Sequence, residues 1–158
     1  VDKPYIVLIG QKSRINDFSD CWAAGVQEMV EHCWPGPLTL ILKAKAEAPA
    51  YVKGSHGTVA IRMPAHEGLL TLLQEVPAVF STSANKAGQA VPACFEDVDP
   101  DIISRVRAII MDDSHASCTN VTPSTIIDCT GAQLKVVREG AYAIKALEEI
   151  AGQKFLRP

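Results

Sequence analysis

The apolar residues of this chain are gathered into short runs, and each run is ended by a proline, a glycine or a polar turn. Six such runs occupy residues 5–9, 38–42, 58–63, 79–82, 124–129 and 134–138. Runs of this length that are rich in Val, Ile and Thr predict β-strands. They are far shorter than the ~18 apolar residues that a membrane-spanning helix needs, and no apolar leader is visible. We therefore expect a soluble, cytoplasmic protein without a membrane partner.

Segments with helical spacing of apolar residues lie between these runs. Helices are predicted at 16–33, 66–75, 99–106 and 141–150, with a further strand at 108–111. The first helix must end before 34–37, because that segment contains two prolines and a glycine. Strands and helices alternate without strict βαβ regularity, and the last two strands are spaced like a hairpin. The pattern therefore predicts an α/β fold with a mixed sheet.

Composition excludes several classes of protein. The chain has 158 residues, 47% of them hydrophobic, which is enough for one domain with its own core. A net charge of −3 excludes a generally basic protein, so nucleic-acid binding would need a local patch of cations. The five cysteines are odd in number and lack a C-x-x-C pair, which favours free thiols. The four histidines lack the spacing of a metal site, so no protein-bound metal is predicted.

One predicted strand leads into a loop of small polar residues, Ser81-Thr82-Ser83-Ala84-Asn85, which continues as Lys86-Ala87-Gly88. Small side chains let backbone N–H groups approach a ligand closely, and concave arrays of such groups suit phosphate or carboxylate. The same residues are also typical of an ordinary turn, in which Ser and Asn side chains cap their own backbone. The turn chemistry alone favours the ordinary turn.

Arginines occur near the ends of two other predicted strands. Arg62 lies two residues before Pro64, and Arg138 ends a strand whose hairpin partner begins at Ser124. A guanidinium matches the planar oxygens of phosphate and carboxylate, although exposed strand arginines are common. Because three strand ends each offer a hydroxyl or an arginine, the sequence predicts a shared rim for a small anionic ligand.

Six segments together resemble the YrdC-like family, whose members include the threonylcarbamoyl-AMP synthases. They are Lys3-Pro4 with its following strand, Trp34-Pro35-Gly36-Pro37-Leu38-Thr39, Val59-Ala60-Ile61-Arg62-Met63-Pro64, Ser81-Thr82-Ser83-Ala84-Asn85, Pro123-Ser124-Thr125-Ile126-Ile127-Asp128 and Val136-Val137-Arg138-Glu139-Gly140. Each segment is weak alone, but all six occur in the family's order. The resemblance implies one YrdC-like domain over residues 1–158, with a twisted mixed sheet and helices around a concave, positively lined cavity.

The same resemblance implies a nucleotidyltransferase. Such an enzyme makes threonylcarbamoyl-AMP and pyrophosphate from L-threonine, bicarbonate and ATP, with Mg²⁺ on the phosphates. The product serves the threonylcarbamoyl modification (t6A) of adenosine-37 in tRNA. The implied partners are therefore the proteins of the t6A transfer complex, with tRNA or double-stranded RNA as a further partner.

Roles for individual residues also follow from the resemblance. The catalytic set would be Arg62, Ser83 and Asn85; threonine would be bound by Arg62, Thr82, Ser83 and Ser124; ATP would be bound by Lys3, Thr58, Asn85 and Arg138. An adenylate-forming step needs cations and N–H donors around the developing phosphate charge, and it needs no nucleophilic side chain. The residue types agree with that chemistry.

Two positions depart from the family's pattern. The family has a lysine-x-arginine pair just before the position of Lys3, where this chain has Val1 and Asp2. In addition, Ala87 stands where a serine usually precedes the glycine. One donor to a transition state is worth about 10²–10³ in rate, so the missing pair predicts an impaired enzyme. The chain is accordingly interpreted as a domain that lacks the family's N-terminal segment.

Two other functions stay open. The chain could be a YrdC-like module that binds double-stranded RNA or tRNA without synthase activity, although its negative charge and lack of interleaved aromatic residues argue against this. It could also be a domain of a hydrogenase-maturation carbamoyltransferase. The YciO-like branch of the family is disfavoured, because Ser83-Ala84-Asn85 keeps the synthase pattern.

Overall fold

A computed structural model of the chain describes residues 5–54, 56–111 and 122–157. Two compact units divide the chain. The first, here called the sheet unit, comprises the residues up to 81 and from 123 onward, and the second, the loop unit, comprises residues 82–122. Lys3, a predicted ATP-site residue, lies outside the described residues, as does one of the five cysteines, Cys118.

Six strands of the sheet unit form one mixed sheet. They are β1 (Ile6–Leu8), β2 (Leu38–Lys43), β3 (Thr58–Arg62), β4 (Val79–Ser81), β5 (Thr125–Asp128) and β6 (Lys135–Arg138). Their order is β4-β1-β3-β2-β5-β6, with parallel pairing of β1 with β3 and of β2 with β5. The other three pairs are antiparallel, including the β5–β6 hairpin. The predicted mixed α/β fold is confirmed.

The described residues contain four α-helices, named α1 (Val26–Cys33), α2 (Glu67–Glu75), α3 (Pro100–Ile103) and α4 (Ile144–Ala151). Of these, α3 belongs to the loop unit and the others to the sheet unit. Where a helix was predicted at 99–106, α3 has only four residues, which is about one turn. No helix in the described part of the chain is both long and apolar enough to cross a membrane.

The helix predicted at 16–33 was wrong in its first half. Lys12–Asp17 forms a 3-10 helix, and α1 begins only at Val26. Gly25 has a φ of 84°, in the left-handed region, which interrupts an α-helix. A Cβ at this position would collide with the backbone oxygen of Ala151 in α4. The late start of α1 thus follows from its packing on α4, which is not visible in the local sequence.

The strand predicted at 108–111 was also wrong, because these residues form neither strand nor helix. Ile109, Ile110 and Met111 are exposed, and Ile110 is 81% exposed. Apolar, β-branched residues favour a strand only where a neighbouring strand can pair with them. No strand among the described residues of the loop unit offers that pairing.

The core of the sheet unit lies where α1 and α4 cover one face of the sheet. Its fully buried members include Leu38, Leu40 and Leu42 of β2, Met29 of α1 and Leu147 of α4. Burial of each such side chain contributes about 1.5–3 kcal/mol to folding. Because side chains alternate between the faces of a strand, Thr39 of β2 lies on the face opposite to this core.

Candidate functional site

Two arginines end strands of the sheet unit. Arg62 is the last residue of β3, and Arg138 is the last residue of β6. Burial lowers the pKa of Arg62, and repulsion from the Arg138 guanidinium lowers it further, so the two charges interact. Among the residues that the structure describes, no carboxylate forms an ion pair with either arginine. Within this part of the chain their positive charge is therefore unmatched, which suits an anionic ligand.

Ser124 fixes the orientation of Arg138. The arginine Nε donates to the Ser124 backbone oxygen at 3.1 Å, while Nη2 donates to that oxygen at 2.8 Å and to Ser124 Oγ at 3.2 Å. The same hydroxyl is hydrogen-bonded to Thr39 Oγ1 at 2.9 Å, and both hydroxyl residues are buried. The hairpin thus brings Ser124 and Arg138 together, as its predicted geometry required. The contribution of Thr39 was not predicted, although a single polar residue within an apolar strand could have indicated it.

A backbone carbonyl holds Arg62. Its Nε donates to the Gly36 oxygen at 3.1 Å, and the Gly36 N–H donates to the Met63 oxygen at 2.8 Å. A Cβ on Gly36 would collide with the Cys33 carbonyl oxygen, so only glycine lets the turn lie this close to the end of β3. In the sequence, 34–37 was predicted only as a helix stop and a family motif, and this positioning role was not predicted.

The Thr125 hydroxyl holds the backbone that follows Arg138 through hydrogen bonds. Its hydroxyl donates to the Tyr142 carbonyl oxygen at 2.8 Å and accepts from the N–H groups of Gly140 and Tyr142, each at 3.0 Å. A Cβ on Gly140 would collide with the Pro123 oxygen, so this loop also needs a glycine. The Thr125 hydroxyl is therefore occupied within the protein, and it supports the site without facing a ligand.

Thr58 lies at the opposite end of β3 from Arg62. It is paired with Lys43 of β2, whereas Arg62 is paired with Leu8 of β1. Four residues of a strand span about 13 Å. The strand register places Arg62, Ser124 and Arg138 at one edge of the sheet and Thr58 at the opposite edge.

The loop unit begins with the small polar loop that contains Asn85. The Asn85 side-chain nitrogen donates to the backbone oxygens of Lys86, at 3.2 Å, and Gln89, at 2.9 Å. A turn over residues 86–89 is closed by the Gln89 N–H, which donates to the Lys86 oxygen at 3.0 Å, and Gly88 supplies its φ of 82°. Thr82 and Ser83, just before it, are exposed.

Asn85 Oδ1 is buried and has no hydrogen-bond partner among the described residues. A buried acceptor without a partner costs about 1–3 kcal/mol, so such an atom calls for an explanation in a native protein. A ligand that supplies an N–H, an O–H or a cation would satisfy it. The predicted turn is therefore present, and it uses only the nitrogen of the Asn85 amide.

A separate concavity of the sheet unit is apolar, with a volume of about 240 Å³. Its lining includes Val7, Phe18, Tyr51, Val52 and Phe80. None of the predicted site residues lines it, and it offers no cation to an anionic ligand. The candidate site is therefore the cluster around the two arginines and not this cavity.

Comparison with known protein families gives one match over most of the chain. Residues 1–140 match the model of the Sua5_yciO_yrdC family, described as "Telomere recombination". A threonylcarbamoyl-AMP synthase of Pyrococcus abyssi is 30% identical over 159 aligned residues. The alignment covers 99% of this chain but only 46% of that relative. The chain thus spans less than half the length of the Pyrococcus abyssi protein.

Two solved structures share the fold. The crystal structure of P. abyssi Sua5 complexed with L-threonine has a TM-score of 0.85 and 28% identity, covering 98% of this chain and 45% of that chain. The crystal structure of E. coli YciO has a TM-score of 0.72 and 25% identity, covering 92% of this chain and 70% of that chain. Both similarities extend over nearly all of the chain.

Proposed function

Because the chain belongs to the Sua5–YciO–YrdC family, we propose that it forms the catalytic domain of a threonylcarbamoyl-AMP synthase. The family membership itself confirms the resemblance drawn from the six sequence segments. The activity is supported by the Pyrococcus abyssi relative, which bears this name, and by the similar structure of P. abyssi Sua5, which was obtained as a complex with L-threonine. In this chain, the proposal rests on the two interacting arginines, Arg62 and Arg138, whose charge no described carboxylate neutralises.

The proposed reaction has two bond-forming steps. The amino nitrogen of threonine attacks the carbon of bicarbonate, forming an N–C bond with loss of water. A carboxylate oxygen of the product then attacks the α-phosphorus of ATP, forming an O–P bond while the bond to pyrophosphate breaks. Negative charge accumulates around that phosphorus, and fixed cations lower the barrier by stabilising it. No side chain needs to act as a nucleophile.

The arginines fit this chemistry because several of their N–H donors have no partner among the described residues. An arginine has five N–H bonds. Within the described residues, Arg62 uses only Nε, and Arg138 uses Nε and Nη2, for contacts with backbone and serine oxygens. The remaining N–H groups can bind oxygens in a planar, two-point arrangement. We assign the threonine carboxylate to Arg62 and a phosphate of ATP to Arg138.

The resemblance to the family assigns the hydroxyl and amide residues to the same two substrates. Ser124 lies against Arg138 in the sheet unit, and Thr82 and Ser83 have exposed side chains in the loop unit. We assign Ser124, Thr82 and Ser83 to threonine and Asn85 to ATP. Thr58 and Lys3 stay predicted ATP-site residues.

Mg²⁺ would reach the site with ATP. Among the described residues, no group of three or more His, Cys, Asp and Glu side chains could hold a metal ion. Mg²⁺ prefers oxygen ligands and keeps waters and substrate phosphates in its coordination shell, so it needs few protein ligands. Asn85 Oδ1, which is buried and has no partner among the described residues, fits such a role. When bound, the ion would offset phosphate charge.

Three expectations remain predictions beside this proposal. They are the concave, positively lined cavity, the transfer of the product by t6A complex proteins, and a direct contact with tRNA or double-stranded RNA. The two alternative functions, an RNA-binding module and a hydrogenase-maturation carbamoyltransferase domain, lack a supporting contact in the described structure.

Pyrophosphate release from ATP by the purified full-length protein tests the proposal. We expect release only when threonine and bicarbonate are both present. Omission of either substrate, or replacement of threonine by alanine, serves as the control for uncoupled ATP hydrolysis. Release that does not depend on threonine, or no release under any condition, would contradict the synthase function.

A further inference from the structure

Building on the proposed function, we infer that Lys86 is a positioning residue, which clamps the loop carrying Asn85 through a three-residue ion cluster with Asp99 and Asp101. The cluster lies entirely within the loop unit. Its effect would be to keep the Asn85 amide in the orientation that leaves Oδ1 free for ATP or its Mg²⁺.

In the ion cluster, one ammonium group lies at short distance from two carboxylates. Lys86 Nζ lies 2.7 Å from Asp99 Oδ2 and 2.7 Å from Asp101 Oδ2. Asp99 Oδ1 accepts from the Asp101 N–H at 2.9 Å and so caps the first turn of α3. The hydrogen bonds from Lys86 to Asp101 and Asp99 raise the pKa of Lys86, and the bond from Lys86 lowers the pKa of Asp99. One cation shared by two aligned carboxylates forms a network, which holds geometry better than an isolated surface pair.

The backbone of the same lysine holds the Asn85 side chain. Asn85 Nδ2 donates to the Lys86 carbonyl oxygen, and that oxygen also closes the 86–89 turn by accepting from the Gln89 N–H. The side chain of Lys86 is fixed to α3 while its carbonyl fixes Asn85. A shift of the Lys86 backbone would therefore displace both hydrogen bonds that orient the amide.

The ion pairs of Lys86 argue against a direct contact between this lysine and phosphate. An exposed lysine beside a phosphate-binding loop would ordinarily be taken as a direct phosphate contact. Two carboxylates at 2.7 Å neutralise this one instead. Direct binding and clamping predict different effects when the two aspartates are neutralised, which makes them distinguishable.

The clamp predicts a specific kinetic pattern. If only a fraction of the protein holds the loop in the competent form, the apparent affinity for ATP falls by that fraction. Bound ATP would restore the loop, so turnover at saturating ATP would be preserved. Loss of the clamp should therefore raise the KM for ATP and leave kcat nearly unchanged.

The test compares Lys86→Met, Lys86→Arg and the double variant Asp99→Asn/Asp101→Asn with Lys12→Met. Lys12 is a matched control, because it also forms a surface ion pair, with Glu31 at 3.0 Å, far along the sequence from the loop. Amide hydrogen exchange of the peptide spanning residues 82–92 reports loop order without requiring activity. The KM for ATP and kcat come from threonine-dependent pyrophosphate release.

We expect Lys86→Met and the double aspartate variant each to speed exchange in that peptide and to raise the KM for ATP about two- to fivefold, the size typical of an exposed ion network. Lys86→Arg should retain most of the wild-type behaviour, and Lys12→Met should match the wild type. Unchanged exchange and KM in Lys86→Met would overturn the clamp. A large loss in Lys86→Met with a normal double aspartate variant would also overturn it, in favour of direct contact. If the wild type releases no pyrophosphate, the proposed function fails, while the exchange measurement still decides the clamp.

Discussion

Arg138 is oriented by Ser124 through both the backbone and the side chain of the serine. Its Nη2 lies 2.8 Å from the Ser124 carbonyl oxygen and 3.2 Å from the Ser124 hydroxyl. Both acceptors are neutral, so they fix the guanidinium without cancelling its charge. A cation oriented before the substrate arrives needs no rearrangement during the reaction, which is the basis of electrostatic catalysis.

Ser124→Ala should weaken both the site and the fold. The substitution removes the hydroxyl that links Thr39 to Arg138 and leaves the buried Thr39 Oγ1 without that partner. We expect a loss of about 1–3 kcal/mol in the free energy of unfolding, together with a higher KM for threonine. Urea unfolding and the pyrophosphate assay measure the two effects. Ser13→Ala, at an exposed serine, is the control, and equal behaviour of the two variants would contradict the assignment.

Arg138→Lys should lose activity although it keeps the positive charge. Lysine lacks the planar fork that lets one side chain bind Ser124 with one edge and substrate with another. We expect kcat/KM to fall about 10²-fold or more, as when one transition-state donor is removed. Arg14→Lys changes a surface arginine whose partner is Asp17, so it should leave the rate unchanged. A fully active Arg138→Lys enzyme would show that charge alone suffices.

Asn85→Ala should separate activity from stability. The substitution removes two turn hydrogen bonds, but it also removes a buried oxygen that has no partner in the described structure. These effects oppose each other, so we expect the free energy of unfolding to change by less than about 1 kcal/mol. Threonine-dependent pyrophosphate release should fall by about 10²–10³. Gln89→Ala keeps the backbone acceptor of the turn and is the control; a stable, fully active Asn85→Ala protein would contradict the role of this residue.

Glu148 should make the fold sensitive to acid. Its side chain is buried in α4 and accepts hydrogen bonds from the Phe155 N–H and Lys154 at 3.0 Å and from Arg157 at 3.4 Å. The backbone N–H contributes most to lowering the pKa of this carboxyl, and the two cations add to the effect. The resulting stability is fully present above the pKa of an unfolded glutamate, about 4.3, and is lost as the pH falls through the lower folded value.

Glu148→Gln should therefore lower the Tm by a few degrees at pH 7, and the difference from the wild type should shrink as the pH falls below about 4. Thermal unfolding followed by circular dichroism at several pH values measures the difference. Glu149→Gln alters the exposed neighbouring carboxyl and should have little effect at any of these pH values. A Tm difference for Glu148→Gln that is constant down to pH 2 would contradict the linkage.

The same C-terminal segment supports the strand that carries Arg138. The Leu156 N–H donates to the Leu134 oxygen, and the Val136 N–H donates to the Leu156 oxygen, each at 2.8 Å. These bonds extend the sheet beyond β6. Protonation of Glu148 at low pH should for this reason also destabilise β6, and with it the candidate site.

Local patterns in the sequence were sufficient to predict the six strands of the sheet and the hairpin. The strands end where Pro64 and the turn at 130–131 stop them, and the hairpin register then brings Ser124 to Arg138. Each of these features depends on residues close in sequence. Such features can be predicted from spacing and turn chemistry.

Features that depend on distant contacts could not be predicted in this way. The start of α1 is set by the fit of Gly25 against Ala151, and the orientation of Arg62 is set by the carbonyl of Gly36. The burial of Asn85 Oδ1 without a partner in the described part of the chain likewise follows from folding of the loop around it. Sequence patterns indicate which residue types are present, but these roles arise only from packing between separated segments.

Incorporation of carbon-13 from labelled bicarbonate into an adenylate tests the central claim most directly. We expect the full-length protein, given ATP and threonine, to form a threonylcarbamoyl adenylate that carries the label, detected by mass spectrometry. Arg62→Ala should abolish the labelled product while keeping the fold, and Arg14→Ala should not reduce it. Absence of label from any adenylate made by the wild type, or equal labelling by Arg62→Ala, would contradict the synthase function and the role of the paired arginines.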